Sequence, residues 1–343
     1  MVKIIGIKSE NEWLQFRGTG IGASEVANLF SLNPFQSKLE FFHFKVGFNP
    51  KPFYNLRLAY GSCTETLTSD LVATFDATNP ESHAMNLKNG KRFREVMKLP
   101  ERAFVVNDSC PHLFSSPDRE VIVNGIKGYV EAKDCSSMHI NMYSDKIPTS
   151  HKIQARTQMM VGEMPFNILA HIIDAGREYK EYIFQRDGII FNDHKNNRVI
   201  TEQDLKEEVE IFWQSVVLGR ELSHKIMVAR QQFQYDKAEQ YQALLDQCEP
   251  SPDTSNAYEQ YLKETAYSFA KPKIERNGTE ADEIAAENFL KTKEQMKSAE
   301  EIHQRERNNI LNLCKRGERI ILGKNKYIEV ANTKVGISIK VKN

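Results

Sequence analysis

Between residues 111 and 135 apolar and polar positions alternate in two β-rich runs. They meet at Asn124-Gly125, a dipeptide suited to a tight hairpin because both residues accept positive φ. Apolar runs predict further strands at 103–107, 166–173, 179–184 and 189–191. Helical spacing predicts helices at 10–16, 24–30, 39–46, 56–75 and 151–162; in the fourth, Leu67, Leu71 and Phe75 recur every fourth position. Ser24 reads as the N-cap of the second helix, after the Gly-rich joint 18–22. Helices, then a hairpin-rich sheet, then a helix and more strands make a mixed α/β (α+β) fold.

The pattern changes near residue 200. Residues 203–248 are long, charged and amphipathic, with Leu205, Val209, Phe212 and Val216 on one stripe. Glu249-Pro250-Ser251-Pro252-Asp253 breaks the run, and 279–313 forms a second one. Residues 319–330 and 334–341 read as a terminal β-hairpin around Ala331-Asn332-Thr333. The expected organisation is therefore a domain over 1–200 and an extension over 201–343 made of a helical hairpin and a terminal β-hairpin.

Composition narrows the class. The chain has 343 residues, 40% hydrophobic and 27% charged, which fits a soluble globular protein with a real core. No apolar run is long enough to span a bilayer, and the first residues lack a signal-peptide layout, so a cytoplasmic protein is expected. The 46 basic and 46 acidic residues cancel, which removes any global attraction for nucleic acid. A local basic cluster (Lys88, Lys91, Arg92, Arg94, Lys98, Arg102) reads first as a charged face. Five scattered cysteines without a C-x-x-C pair argue for buried thiols rather than a disulfide framework, zinc ribbon or iron–sulfur cluster.

The candidate chemistry lies on the hairpin. Glu131 and Lys133 are two apart on a strand and so share a face, while Ala132 points away. With Asp118 on or just before the neighbouring strand, two carboxylates and an ammonium converge. Such a set suits Mg²⁺ and metal-assisted phosphodiester hydrolysis. Taken alone, the same residues also describe a solvated hairpin face.

The wider set carries a resemblance. Trp13 and Arg17 precede Gly22-Ala23-Ser24-Glu25; Glu65, Ser116-Pro117-Asp118, Glu131-Ala132-Lys133 and Gln154 with Gln158 follow. In this order the segment 9–175 resembles the lambda-exonuclease/YqaJ viral recombinase family, a branch of the PD-(D/E)xK nucleases. The resemblance implies a restriction-endonuclease-like core, a mixed central sheet flanked by helices. It implies a Mg²⁺-dependent nuclease, with Mn²⁺ able to substitute, that degrades duplex DNA from a 5′ end and leaves a 3′ single strand for an annealing protein. It assigns Asp118 and Glu131 to the metal, with Glu65 and Ala132 completing the metal-binding set. Lys133 acts on water or the scissile phosphate, and Gln154 positions that water or the lysine. Arg17 and Ser24 hold the 5′ phosphate. The basic residue that often follows the Glu-x-Lys motif is here replaced by His139. A homo-oligomer, a three-subunit ring among its forms, is also implied. The alternatives are an endonuclease on the same core and a non-catalytic DNA-binding or interaction protein.

Overall fold

The computed structural model describes residues 1–48, 67–100, 103–193, 198–253, 255–265, 279–313, 319–323, 326–333 and 336–342. In chain order the first part comprises β1 (Val2–Gly6), α1 (Glu10–Arg17), β2 (Ile21–Gly22), a 3-10 turn Ala23–Glu25, α2 (Val26–Leu29), α3 (Lys38–Val46), helix α4 over 67–74 and α5 (His83–Asn89). Then follow β3 (Glu95–Lys98), β4 (Ala103–Asn107), β5 (Leu113–Ser115), β6 (Arg119–Val123), β7 (Ile126–Cys135), α6 (Ser137–Ile140), α7 (Thr149–Gly162) and β8 (Phe166–Ile173). After β9 (Glu178–Gln185), β10 (Ile189–Asp193) and β11 (Arg198–Thr201) come α8 (Glu202–Gln231), α9 (Tyr235–Cys248) and α10 (Asn256–Thr265).

The mixed α/β expectation holds. A five-stranded sheet runs β3-β6-β7-β8-β9, with β7 and β8 parallel and the other neighbours antiparallel. A parallel pair cannot be closed by a tight turn, so the chain crosses over from β7 to β8 through α6 and α7. The β6–β7 turn is the predicted one: Asn124 and Gly125 take φ of 52° and 78°. A second sheet, β1-β4-β5-β2, includes β1, which the sequence pattern did not single out.

The two faces of β7 divide the labour. Tyr129, Glu131, Lys133 and Cys135 alternate onto one face. Val130 joins Val72 of α4, Val121, Ile168 and Ala170 in an apolar cluster on the other. Helix α7 lies close to β7 because it ends in Gly162: a Cβ there would come within 2.7 Å of Tyr129 Cζ. Gly162→Ala should therefore push α7 outward and lower stability by about 1–3 kcal/mol. The midpoint of urea unfolding checks this, and an unchanged midpoint would show that the helix has slack.

Two expectations about the second half change. Helices α8 and α9 are not an appendage: Leu205, Val209, Phe212, Val216 and Leu245 sit in one core with Ile21, Leu113, Ile153 and Met160. Compact units divide at Met1–Ser268 and Phe269–Asn343, not at residue 200. The apolar stripe of α8 faces that core, so the polarity shift at 200 marks an element boundary rather than a domain boundary. The predicted run 203–248 is also broken at 232–234, where Phe233 takes a φ of 58°. In the second unit, α11 (Glu280–Leu313) precedes an antiparallel sheet β12 (Arg319–Gly323), β13 (Lys326–Thr333) and β14 (Gly336–Lys342). Three strands replace the expected hairpin, because the first predicted run supplies both β12 and β13, paired antiparallel.

Cys110 and Cys135 are buried, and Cys248 is half-buried. No helix among the described residues is long and apolar enough to cross a membrane.

Candidate active site

The hairpin register brings Asp118 to the start of β6, level with the middle of β7. Its backbone N–H donates to Val130 O (3.2 Å), and its Oδ2 accepts from the backbone N–H of Ala132 (2.7 Å). The Asp118 carboxylate is thereby fixed beside Glu131. Glu131 is 3% exposed and receives three side-chain donors. Lys133 Nζ and Gln154 Nε2 each reach Oε1 at 2.6 Å, and Gln158 Nε2 reaches Oε2 at 2.5 Å. Gln158 is in turn held by Asn167 of β8, whose amide donates to its Oε1 at 2.8 Å. A carboxylate this deep needs partners for its lone pairs, and here they come from one strand and one helix.

Helix periodicity explains the supply. Gln154 and Gln158 are four apart and face the sheet together, with Ile153 packed below. On β8 the run Phe166–Ile173 is apolar except for Asn167 and His171, which are four apart and so share a face. Asn167 and the holding role of Gln158 were not assigned from the sequence. The signal was there: two polar residues on one face of an otherwise apolar buried strand.

Lys133 is only 24% exposed at its side chain. Burial would lower its pKa, but the charges of Glu131 and Asp118 more than reverse that and raise it above the ordinary value. The two carboxylates thus hold Lys133 in its ammonium form. His171 lies opposite Lys133 in the β7–β8 register. Burial, with the charges of Lys133 and His139 added, pushes its pKa down to about 4, so the ring is neutral at pH 7.

The remaining predicted residues are placed differently. Glu65 lies outside the described residues. Arg17 donates Nη2 to Glu25 Oε1 at 2.6 Å and lies over the Trp13 ring at 5.0 Å, so its guanidinium is already engaged by a carboxylate. Ser24 is exposed but is not an N-cap. It sits inside the 3-10 turn, which Gly22 caps while the Glu25 side chain takes the Gly22 N–H at 2.8 Å. The longer Glu25 side chain folds back on the turn, and the helical stretch after it is too short for the N-terminal anion site expected there. The turn packs against α7. His139 is half-buried on α6, close enough to His171 to act on it electrostatically. Of the basic cluster, Arg92 pairs with Asp70, and Arg94 is spent on a buried pair with Glu181 at 2.6 Å.

The carboxylates of Asp118 and Glu131, carried on adjacent strands, offer oxygen donors of the kind that fit a hard divalent cation. Ala132 can add only backbone atoms, and its N–H is already given to Asp118.

Known proteins similar to this chain fall in one group. Residues 12–165 match the model of the YqaJ-like viral recombinase domain. The uncharacterized protein YqaJ of Bacillus subtilis (strain 168) is 24% identical over 216 residues, 62% of this chain and 57% of that protein. The chain thus spans little more than half of that relative's length. Among solved structures, an alkaline exonuclease (LHK-Exo) from Laribacter hongkongensis aligns with a TM-score of 0.41 at 17% identity, covering 66% of this chain and 99% of that one. The same exonuclease in complex with dAMP aligns at 0.44 and 16% identity, with the same coverage.

Proposed function

We propose that this chain, whose residues 12–165 match the YqaJ-like viral recombinase domain, is a metal-dependent deoxyribonuclease that degrades duplex DNA from its 5′ ends. The observation that carries the reading is the convergence of Asp118, Glu131 and Lys133 at one end of the β6–β7 hairpin, with Gln154 and Gln158 bracing Glu131 from α7. A solvated hairpin face would not bury a glutamate and surround it with three donors.

Asp118 and Glu131, with the carbonyl of Ala132, would hold Mg²⁺, for which Mn²⁺ can substitute. Bound there, such an ion would supply positive charge to a phosphoryl oxygen and lower the pKa of a coordinated water. The chain's own groups do the rest. Lys133 donates from its ammonium group to the attacking water or to a non-bridging oxygen of the scissile phosphate, so charge developing there meets a fixed donor. Gln154 and Gln158 hold the Glu131 carboxylate in one orientation, which keeps Lys133 in place on the Oε1 atom it shares with Gln154. Ser24 and His139, with Arg17 sharing its guanidinium between Glu25 and the ligand, receive the terminal phosphate. The 3′ strand left behind would serve a single-strand annealing partner in the same cytosol, and a homo-oligomeric ring would keep a neutral chain on its DNA.

Digestion of three DNAs with Mg²⁺ tests this: closed circular, linear with 5′ phosphate, and linear with 5′ hydroxyl. The expected result is loss of the 5′-phosphorylated linear DNA and survival of the circle. A cut circle would favour an endonuclease, and no digestion of any substrate would favour a binding protein.

A further inference from the structure

Beyond Glu131 and Lys133, the same face of β7 carries a third polar side chain that the proposed nuclease chemistry does not use. Cys135 is 5% exposed, and its Sγ lies within 4.8 Å of one ring nitrogen each from His151 and His171. His151 Nδ1 and His171 Nε2 face each other at 3.3 Å. The three residues come from three elements, β7, α7 and β8. Sheet register puts His171 beside Lys133, one pleat from Cys135. His151 is three residues before Gln154, so it sits one turn up the same face of α7.

We propose that Cys135, His151 and His171 form a second metal site, distinct from the carboxylate site, that takes Zn²⁺ and ties α7 to β7 and β8.

Three features support it. Tetrahedral zinc bound to two imidazoles at 2.0–2.1 Å sets their nitrogens about 3.3–3.4 Å apart, and the two rings already stand at that spacing. A shared proton would serve only one donor between two acceptors, and at 3.3 Å the contact is long for a hydrogen bond. His171 is fully buried, so the Nε2 atom it turns towards His151 has no bulk water to serve as partner. Finally, one thiolate and two imidazoles are the donors a borderline-soft ion selects, whereas the carboxylates of Asp118 and Glu131 select a hard one. Half-buried His151 gives the ion its way in. Binding releases the Cys135 thiol proton to solvent, and a water completes the fourth position.

The consequence is mechanical. Zinc held by His151 would pin the first turn of α7, the helix that presents Gln154 and Gln158 to Glu131.

The test uses the full chain, stripped of metal, with Co²⁺ as a spectroscopic probe and no DNA. The expected result is one equivalent of Co²⁺ giving a thiolate-to-cobalt charge-transfer band and the intense visible bands of four-coordinate cobalt, both removed by added Zn²⁺. Cys135→Ser should lose the charge-transfer band, and Asp118→Asn should keep it. Zn²⁺ should raise the thermal midpoint of the wild type and of Asp118→Asn but not of Cys135→Ser. Wild-type protein that gives only the faint spectrum of oxygen-bound, six-coordinate cobalt would overturn the proposal, whatever the variants do. A charge-transfer band that survives Cys135→Ser would also overturn it, because the thiolate would then belong to another cysteine. Neither readout depends on nuclease activity, so the two proposals fail separately.

Discussion

Glu131→Gln is expected to reduce Mg²⁺-dependent hydrolysis of linear duplex DNA by about 10³-fold or more, a loss of roughly 4 kcal/mol of transition-state stabilisation. The substitution keeps the side-chain length but removes the charge that the metal needs. It also replaces one acceptor oxygen with an amide that must face donors: Lys133 and Gln154 converge on one oxygen and Gln158 on the other. Whichever way the new amide turns, an N–H points at an N–H: at Gln158 in one orientation, and at Lys133 and Gln154 in the other, where Lys133 loses its anchor as well. Lys133→Ala should lose a comparable factor while leaving the carboxylates in place, and binding of duplex DNA should persist in both variants. Single-turnover rates at saturating enzyme, set beside DNA affinity from anisotropy, separate the two effects. A rate within tenfold of wild type for Glu131→Gln, with the variant folded, would remove this carboxylate from the chemistry.

The Glu131–Lys133 pair was legible because strand alternation is strict and the Asn-Gly turn fixes the register. Once those two are known, the placement of Asp118 follows almost from counting. What could not be read is whatever depends on which elements meet across the core. Gln158 reaches Glu131 only because α7 lies tightly on β7 at Gly162, a matter of missing volume rather than of pattern. Arg17 and Ser24 stand close together in sequence and look like a phosphate grip. Glu25 beside them takes the guanidinium of one and displaces the capping role of the other. Helix α8 was set apart by its charge, yet its buried stripe belongs to the core of the first unit. Local composition cannot show which partner an amphipathic face will find.

Glu25→Gln should destabilise the first unit by about 3 kcal/mol at pH 7, because Glu25 is the counter-charge for two cations at once. Arg17 and Lys45 both reach its carboxylate, at 2.6 and 2.9 Å, and the Lys45 side chain is only 1% exposed. Lys45 also donates to Arg17 O and Gly20 O, and Arg220 of α8 donates to Gly18 O and Lys45 O. One buried carboxylate therefore sits at the junction of α1, the 3-10 turn, α3 and α8. Burial would raise the Glu25 pKa, but Lys45 and Arg17 outweigh it and bring it from 4.5 down to about 2. A carboxyl depressed in the folded state stabilises the fold above its unfolded pKa. That contribution fades as pH falls from about 4.5 towards 2. A shift of that size corresponds to roughly 3 kcal/mol. Lys45 works the other way: its burial lowers its own pKa despite Glu25, so holding it charged costs part of the gain at neutral pH. The net value of the cluster is therefore smaller than the Glu25 contribution, but removing Glu25 alone leaves the cost of Lys45 without its compensation. Urea unfolding of wild type and Glu25→Gln across this range should show a gap that is widest near neutrality and closes as pH falls towards 2. A gap that stays constant with pH would mean that the carboxylate charge is not what holds these four elements together.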